Sequence, residues 1–406
     1  MKPVAIIGSG LAGYTVAREF RKLDKTTPLL IITGDDGAFY SKPMLSNAYA
    51  QGKAADQLIN QSAEQMAAQL NANILTTMQV TGIYVHNKTV QTHAGEFEYD
   101  KLVLAVGAQP IRLPLTGDAA EQVVSVNTLA DYAVFRGKIR QAGNNAHITI
   151  LGAGLIGCEF ADDLASAGYA VTLIDPGSLP LASLAPHAIS LGLQTALQGK
   201  GVTLKMQTTA ASIDHHEQKI RISLSSGKYF DTDVVLSAVG LRADISLAKA
   251  AGLATDRAIL VDQFGLSSDN HIFAVGDCAQ YTMSDGSYQA LPYVAPIMTA
   301  ARAIAQSLTG NPSVIELKPS AVLVKTPSYP IALIPAPVNA RSQGTWKTEQ
   351  QSSVTTSRFF DENQVLRGFA LAPQDNKQRN ALLAALGKHE SDLELQPLTP
   401  SFIAAV

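Results

Sequence analysis

Two six-residue glycine motifs in this 406-residue chain have the residue types that hold a phosphate. They are Gly8-Ser9-Gly10-Leu11-Ala12-Gly13 and Gly152-Ala153-Gly154-Leu155-Ile156-Gly157. In each, the first glycine makes a tight turn, the second lets backbone approach a pyrophosphate, and the third lets a helix pack on a strand. The pyrophosphate then rests on a helix N-terminus, where free N–H groups and the dipole favour negative charge. The motif is weak alone and strong between a strand and a helix. Asp175 adds an acid 18 residues after Gly157. A carboxylate there accepts from both hydroxyls of an adenosine ribose and repels a 2′-phosphate. Neither neighbour, Ile174 nor Pro176, is an arginine, so NADH is favoured over NADPH. The first motif has Thr33 where a ribose-binding acid is often found. Asp35 one turn later, or backbone around Thr33 and Gly34, is left for that contact.

These residues need strands and helices to carry them. Val4–Ile7 is a short apolar run of the buried-strand kind. A helical stretch through Leu23 follows the first motif, and Pro28 opens a second apolar run at Leu29–Ile32. The pattern repeats as His147–Leu151, a helix through Ala167 and the strand Ala170–Ile174. Gly107 to Pro114 and Gly240-Leu241-Arg242 read as two domain crossings. Ile297–Leu308 reads as a helix stopped by Gly310-Asn311-Pro312. Beyond it, prolines interrupt short strand runs at 321–326 and 331–334, and one helix is expected over Asp375–Leu386. The fold expected is α/β: two Rossmann-like dinucleotide-binding domains, the second inserted in the first, plus a small α+β C-terminal domain. The expected boundaries are 1–110, 111–240, 241–312 and 313–406.

Composition narrows the chemistry. There are 31 Lys+Arg against 34 Asp+Glu, a net charge of −3, which argues against nucleic acid as the main partner. Cys158 and Cys278 are the only cysteines, so neither a disulfide framework nor a metal cage is expected, and a reducing, cytoplasmic compartment is. Cys158 starts a helix but reads as a small packing residue. His215-His216 would point to opposite faces of a strand and make a poor chelate; a solvated turn is expected there, and no metal site. The apolar start carries a glycine motif where a signal peptide would have a longer core, and the apolar stretch 290–301 is too short to span a membrane.

Three more segments bring the chain close to a known family. Tyr99 to Pro110 carries a strand and crossing, Asp233 to Gly240 a return crossing, and Asn270 to Asp277 ends in an aspartate. With the two glycine motifs they resemble the two-dinucleotide-fold flavoprotein reductases. Tyr40-Ser41-Lys42-Pro43-Met44-Leu45-Ser46, Gly152 to Ala161, and Val324-Lys325-Thr326-Pro327 bring it nearest the rubredoxin–NAD(+) reductases. The resemblance implies FAD on the first motif and NADH on the second. It implies electron transfer to rubredoxin, a small acidic iron protein, feeding an alkane hydroxylase. Ferredoxin reductases and NADH oxidases share the fold and stay open as alternatives, as does a nucleotide-binding scaffold without catalytic duty. Disulfide reductases of this superfamily keep a C-x4-C pair in the FAD domain, and peroxide and oxidase relatives keep one cysteine in the loop after the second strand, where this chain has Lys42.

The same resemblance implies the site residues. Lys42 lies near the flavin ring with Glu159 beside it, and Lys325 reaches the flavin from the C-terminal domain. Asp277 binds the ribityl chain, and the helix entered at Val294-Ala295 points at the flavin edge that gains charge on reduction. Pro43, Val80, Ala105, Gly107, Gly240 and Gly276 complete the cofactor contacts implied. No membrane insertion is expected, and a monomer is slightly favoured.

Overall fold

The computed structural model describes residues 1–283, 286–338 and 340–393. Strand β1 (Val4–Ile7) has all four residues buried, as a strand covered on both faces must. Helix α1 (Leu11–Leu23) follows it, and β2 (Leu29–Ile32) pairs parallel to β1, with Val4 opposite Leu29. Asn73–Leu75 (β3) and Lys101–Leu104 (β4) extend this sheet on its two sides. The chain then leaves through Ala108–Pro110 and builds a second parallel sheet. Its strands are β5 (His147–Leu151), β6 (Ala170–Asp175), β7 (Thr203–Met206) and β8 (Val234–Ser237), with helix α2 (Leu155–Ser166) between β5 and β6. It returns through Leu241–Ala243, which pairs antiparallel with Ala108–Pro110. Strand β9 (Ile272–Ala274) then pairs with β4 and completes the first sheet. One parallel sheet is thus interrupted by another, and two short strands side by side carry the chain out and back.

Helix α3 (Val294–Leu308) packs on α1. It begins three residues before the stretch expected from sequence. Pro296 falls in its first turn, where a proline's missing N–H costs no helical bond. The C-terminal part is a five-stranded antiparallel sheet of β10 (Val322–Val324), β11 (Ile331–Ile334), β12 (Thr345–Gln351), β13 (Val354–Phe360) and β14 (Leu366–Ala372), in the order β10-β11-β14-β13-β12. Helix α4 (Asn376–Ala385) follows, capped by Asp375, whose side chain accepts from Lys377 and Gln378 N–H. One apolar cluster joins Ile148, Ile150 and Leu173 of the second sheet to Val322, Val324 and Ile331 of the third. Each such buried aliphatic contributes about 1.5–3 kcal/mol, so the two sheets share a core.

Candidate functional site

The two glycine motifs adopt one geometry. Gly8 and Gly152 turn with φ of +110° and +101°, which only glycine takes easily. A Cβ on Gly13 would stand 2.0 Å from Gly8 O, and one on Gly157 1.9 Å from Gly152 O. No side chain fits, so helix and strand meet backbone to backbone. Gly10 and Gly154 are the N-caps of α1 and α2, and a Cβ on either would meet nothing within 4 Å. The space each motif must leave open for a pyrophosphate is therefore present, and both helix N-termini face one cavity of about 2350 Å³.

An acid serves each turn by a different route. In the second, Asp175 Oδ2 accepts from Ala153 N–H at 2.7 Å, and Oδ1 accepts from Gly177 N–H at 2.7 Å. In the first, Asp35 Oδ1 accepts from Ser9 Oγ at 2.9 Å, Thr33 Oγ1 at 2.6 Å and Gly37 N–H at 3.0 Å. Asp35 and Asp175 line the cavity, whereas Thr33 is buried behind it.

Between the two turns the wall carries charge from three parts of the chain. Glu159, on the first turns of α2, is fully buried. The sequence reading set it beside Lys42, but its ion pair is with Lys325, whose Nζ lies 3.3 Å from Glu159 Oε2. Lys325 N–H also donates to Glu159 Oε1 at 2.8 Å, and Ser46 Oγ donates to Oε2. A buried carboxylate with three donors, one of them cationic, is well compensated. Lys42, in the single turn Lys42–Met44, stands on the same wall. Burial holds its ammonium below the ordinary lysine value, against the opposing pull of Asp277 and then Asp131. Lys42 is thus a half-buried cation in a cavity that also holds Asp277.

The remaining residues from the sequence reading divide in two. Ser9, Leu11, Ala12, Pro43, Ala105 and Gly107 line the cavity, as do Ala153, Leu155, Ile156, Gly240, Gly276, Val294 and Ala295. Gly34 and Val80 do not, and Val80 belongs to the apolar core beneath the first sheet. Ser46 is the contributor that residue-type reasoning missed. A lone serine carries no spacing signal, and its partner is 113 positions away. Both cysteines are free and buried. Burial pushes the Cys158 thiol far up and the Cys278 thiol up to about 11, so neither is a thiolate at neutral pH. His215 and His216 close the strand Ala210–His216 rather than a turn, and His216 Nδ1 sits 3.3 Å from Asp231 Oδ2. Among the described residues no cluster could hold a metal ion, and no helix is long and apolar enough to cross a membrane.

Known proteins carry the same pattern. The family described as pyridine nucleotide-disulphide oxidoreductase matches residues 2–307, and that described as rubredoxin binding C-terminal domain matches residues 314–386. The rubredoxin-NAD(+) reductase of Alcanivorax borkumensis is 41% identical over 383 residues, 94% of this chain and 98% of its own. The nitric oxide reductase FlRd-NAD(+) reductase of Aeromonas hydrophila is 39% identical over 374 residues, 91% of this chain and 92% of its own. The solved covalent complex of putidaredoxin reductase with putidaredoxin matches with a TM-score of 0.86 at 24% identity, over 96% of this chain and 95% of that one. At that identity the likeness concerns the fold.

Proposed function

The chain belongs to the pyridine nucleotide-disulphide oxidoreductase family, and we propose that it is the NADH-dependent, FAD-containing reductase of a rubredoxin. The observation that carries this reading is Lys325. The part of the chain that matches a rubredoxin-binding domain lines the dinucleotide cavity with Ser320 to Leu323 and sends the Lys325 side chain to its wall, onto a glutamate of the second glycine helix. Acceptor domain and nucleotide site are thereby in direct contact. Residues 1–110 and 241–312 form the FAD-binding domain in this reading, 111–240 the NADH-binding domain and 313–406 the rubredoxin-binding domain.

Bound together, the cofactors supply the chemistry, a hydride from NADH leaving the flavin as two single electrons with its proton released. The chain's own residues position and compensate. Gly8 to Gly13 hold the pyrophosphate of FAD and Asp35 its adenosine ribose, with Ser9 and Thr33 fixing the carboxylate. Asp277 accepts from the ribityl chain. Gly152 to Gly157 hold the pyrophosphate of NADH, and Asp175 takes its ribose hydroxyls and turns away a 2′-phosphate. Lys42 puts an ammonium beside the flavin and favours its reduced, anionic form, as does the N-terminus of α3 at Val294-Ala295. Glu159 balances Lys325. No thiol takes part. Free buried cysteines suit a reducing compartment, and the location proposed is the cytoplasm.

The downstream oxidase proposed is an alkane hydroxylase, while the Aeromonas relative, named for a nitric oxide reductase, supports a second destination for the same electrons. Steady-state oxidation of NADH with rubredoxin or with a [2Fe–2S] ferredoxin as acceptor tests the reading. Rubredoxin should be reduced with the higher kcat/KM. Preference for the ferredoxin would move the chain to the ferredoxin reductases.

A further inference from the structure

We propose that Ser46 is a positioning residue whose hydroxyl sets how closely the Lys325 ammonium approaches Glu159, and hence how much positive charge the flavin site receives. This inference rests on the reading of Glu159 and Lys325 as part of that site. Ser46 is 2% exposed and sits at the end of the segment that carries Lys42 and Pro43. Its hydroxyl points at Glu159 Oε2, the same oxygen that faces the Lys325 ammonium.

The backbone of residue 325 is fixed from two sides. Its N–H donates to Glu159 Oε1 at 2.8 Å, and its carbonyl accepts from Asn47 Nδ2 at 2.9 Å. Asn47 Nδ2 also donates to Ser46 O at 2.7 Å, so the two neighbours are braced together. Three residues on, Ser328 N–H and Oγ donate to the buried Asp162 Oδ2 at 2.9 and 2.8 Å. The freedom left lies in the Lys325 side chain. Its ammonium divides itself between Pro43 O and Glu159 Oε2, and at 3.3 Å the ion pair is long for a charge-assisted hydrogen bond.

The hydroxyl explains that length. A fully buried carboxylate oxygen demands a donor, and Ser46 is one. With Ser46 present, Oε2 is satisfied and the ammonium stays partly on Pro43 O at the cavity wall. Without it, Oε2 has the ammonium alone, which should move off Pro43 O and onto the carboxylate. The cavity would then feel less positive charge, and the amine would be less open to reagents.

Two measurements on the FAD-loaded protein test this. The first is acetylation of Lys325 by an N-hydroxysuccinimide ester, counted by peptide mass spectrometry. The second is the flavin midpoint potential. Ser46→Ala should slow acetylation of Lys325 at least about threefold and lower the potential, and Ser46→Thr, which keeps the hydroxyl, should restore both. Glu159→Gln serves as the reference and should raise the potential. Unchanged or faster acetylation in Ser46→Ala, with Glu159→Gln still shifting the potential, overturns the role of Ser46. If Glu159→Gln leaves the potential where it was, the placing of the pair in the flavin site fails instead, and acetylation alone still judges the Ser46 geometry.

Discussion

The two dinucleotide units share a backbone and differ in their acids. Gly10 and Gly154 cap their helices at φ, ψ of −72°, −174° and −73°, −171°. The third glycines come within 0.1 Å of the same forbidden approach, 2.0 and 1.9 Å. Backbone sterics fix this part, so the cap angles repeat to within about 3°. The acids do not repeat. Asp175 ends its strand and takes the Ala153 N–H directly, while Asp35 lies three positions beyond the end of β2 and reaches its turn through the Ser9 hydroxyl. A carboxylate is thus placed by whichever donor meets it, and the spacing rule holds only where that donor is backbone. The helices differ too. The buried face of α1 is mainly apolar, with Tyr14, Val16, Ala17 and Phe20, but α2 buries Glu159, Asp162 and Asp163. Those three carboxylates accept from Ser46 and Lys325, from Ser328, and from Tyr49 and Ala50 N–H. The second helix thus holds other parts of the chain as well as opening its N-terminus on the cavity.

The largest separation of the two units should come from their third glycines. Each Cβ would meet carbonyl oxygen at about 2 Å, and relieving that should cost about 3 kcal/mol or more. Gly13→Ala should yield protein without its yellow flavin. Gly157→Ala should stay yellow and fail to bleach with NADH. Equal flavin loss in both would erase the assignment of one cofactor to each motif. The acids come next. Asp175→Ala should lose about 1–3 kcal/mol in NADH binding, a roughly fivefold to 150-fold rise in KM, with NADPH gaining ground. Asp35→Ala should cost FAD affinity on the same scale, read by reconstituting the apoprotein, and leave the NADH/NADPH ratio alone. A change of nucleotide preference in the Asp35 variant would mean that the two roles are exchanged.

Effects of similar size or smaller lie between the units. Lys42→Met removes a half-buried cation from the wall and should lower the flavin midpoint potential by about 1–3 kcal/mol, roughly 20–60 mV for two electrons. Anaerobic potentiometry reads this, and a fixed potential would put Lys42 outside the flavin's field. Smallest should be the double change Cys158→Ala and Cys278→Ala. With the Cys278 thiol pushed to about 11 and Cys158 higher still, electron transfer should stay within about twofold. Iodoacetamide at pH 8 should likewise leave both native thiols unmodified. A dead variant that still folds and holds flavin would reveal thiol chemistry.

What could be read from sequence follows the same division. The glycine turns, β1, β2, β5, α1 and α2 were legible because their signal is local: fixed spacing between an apolar run and a helix. Helix α3 begins at Val294, three residues before the expected Ile297, because a proline at Pro296 fits in a first turn. Asp35 stayed open because nothing local announces a bond from Ser9, 26 positions away. The Glu159–Lys325 pair carries no sequence signal because its members lie 166 positions apart, one on helix α2 and the other just past strand β10. Ser46 had no signal beyond its place in a family motif. Long-range side-chain partners depend on how the three sheets pack, and no window of sequence contains that.

The central claim, that two electrons enter from NADH and leave singly to rubredoxin, is tested most directly by counting. The FAD-loaded protein is kept catalytic and anaerobic with excess oxidised rubredoxin, NADH is added in measured portions, and the iron protein's visible absorbance is followed. The account predicts two rubredoxins reduced per NADH, with the flavin oxidised again after each portion and NADPH far less effective than NADH. NADH that bleaches the flavin while rubredoxin stays oxidised would contradict it.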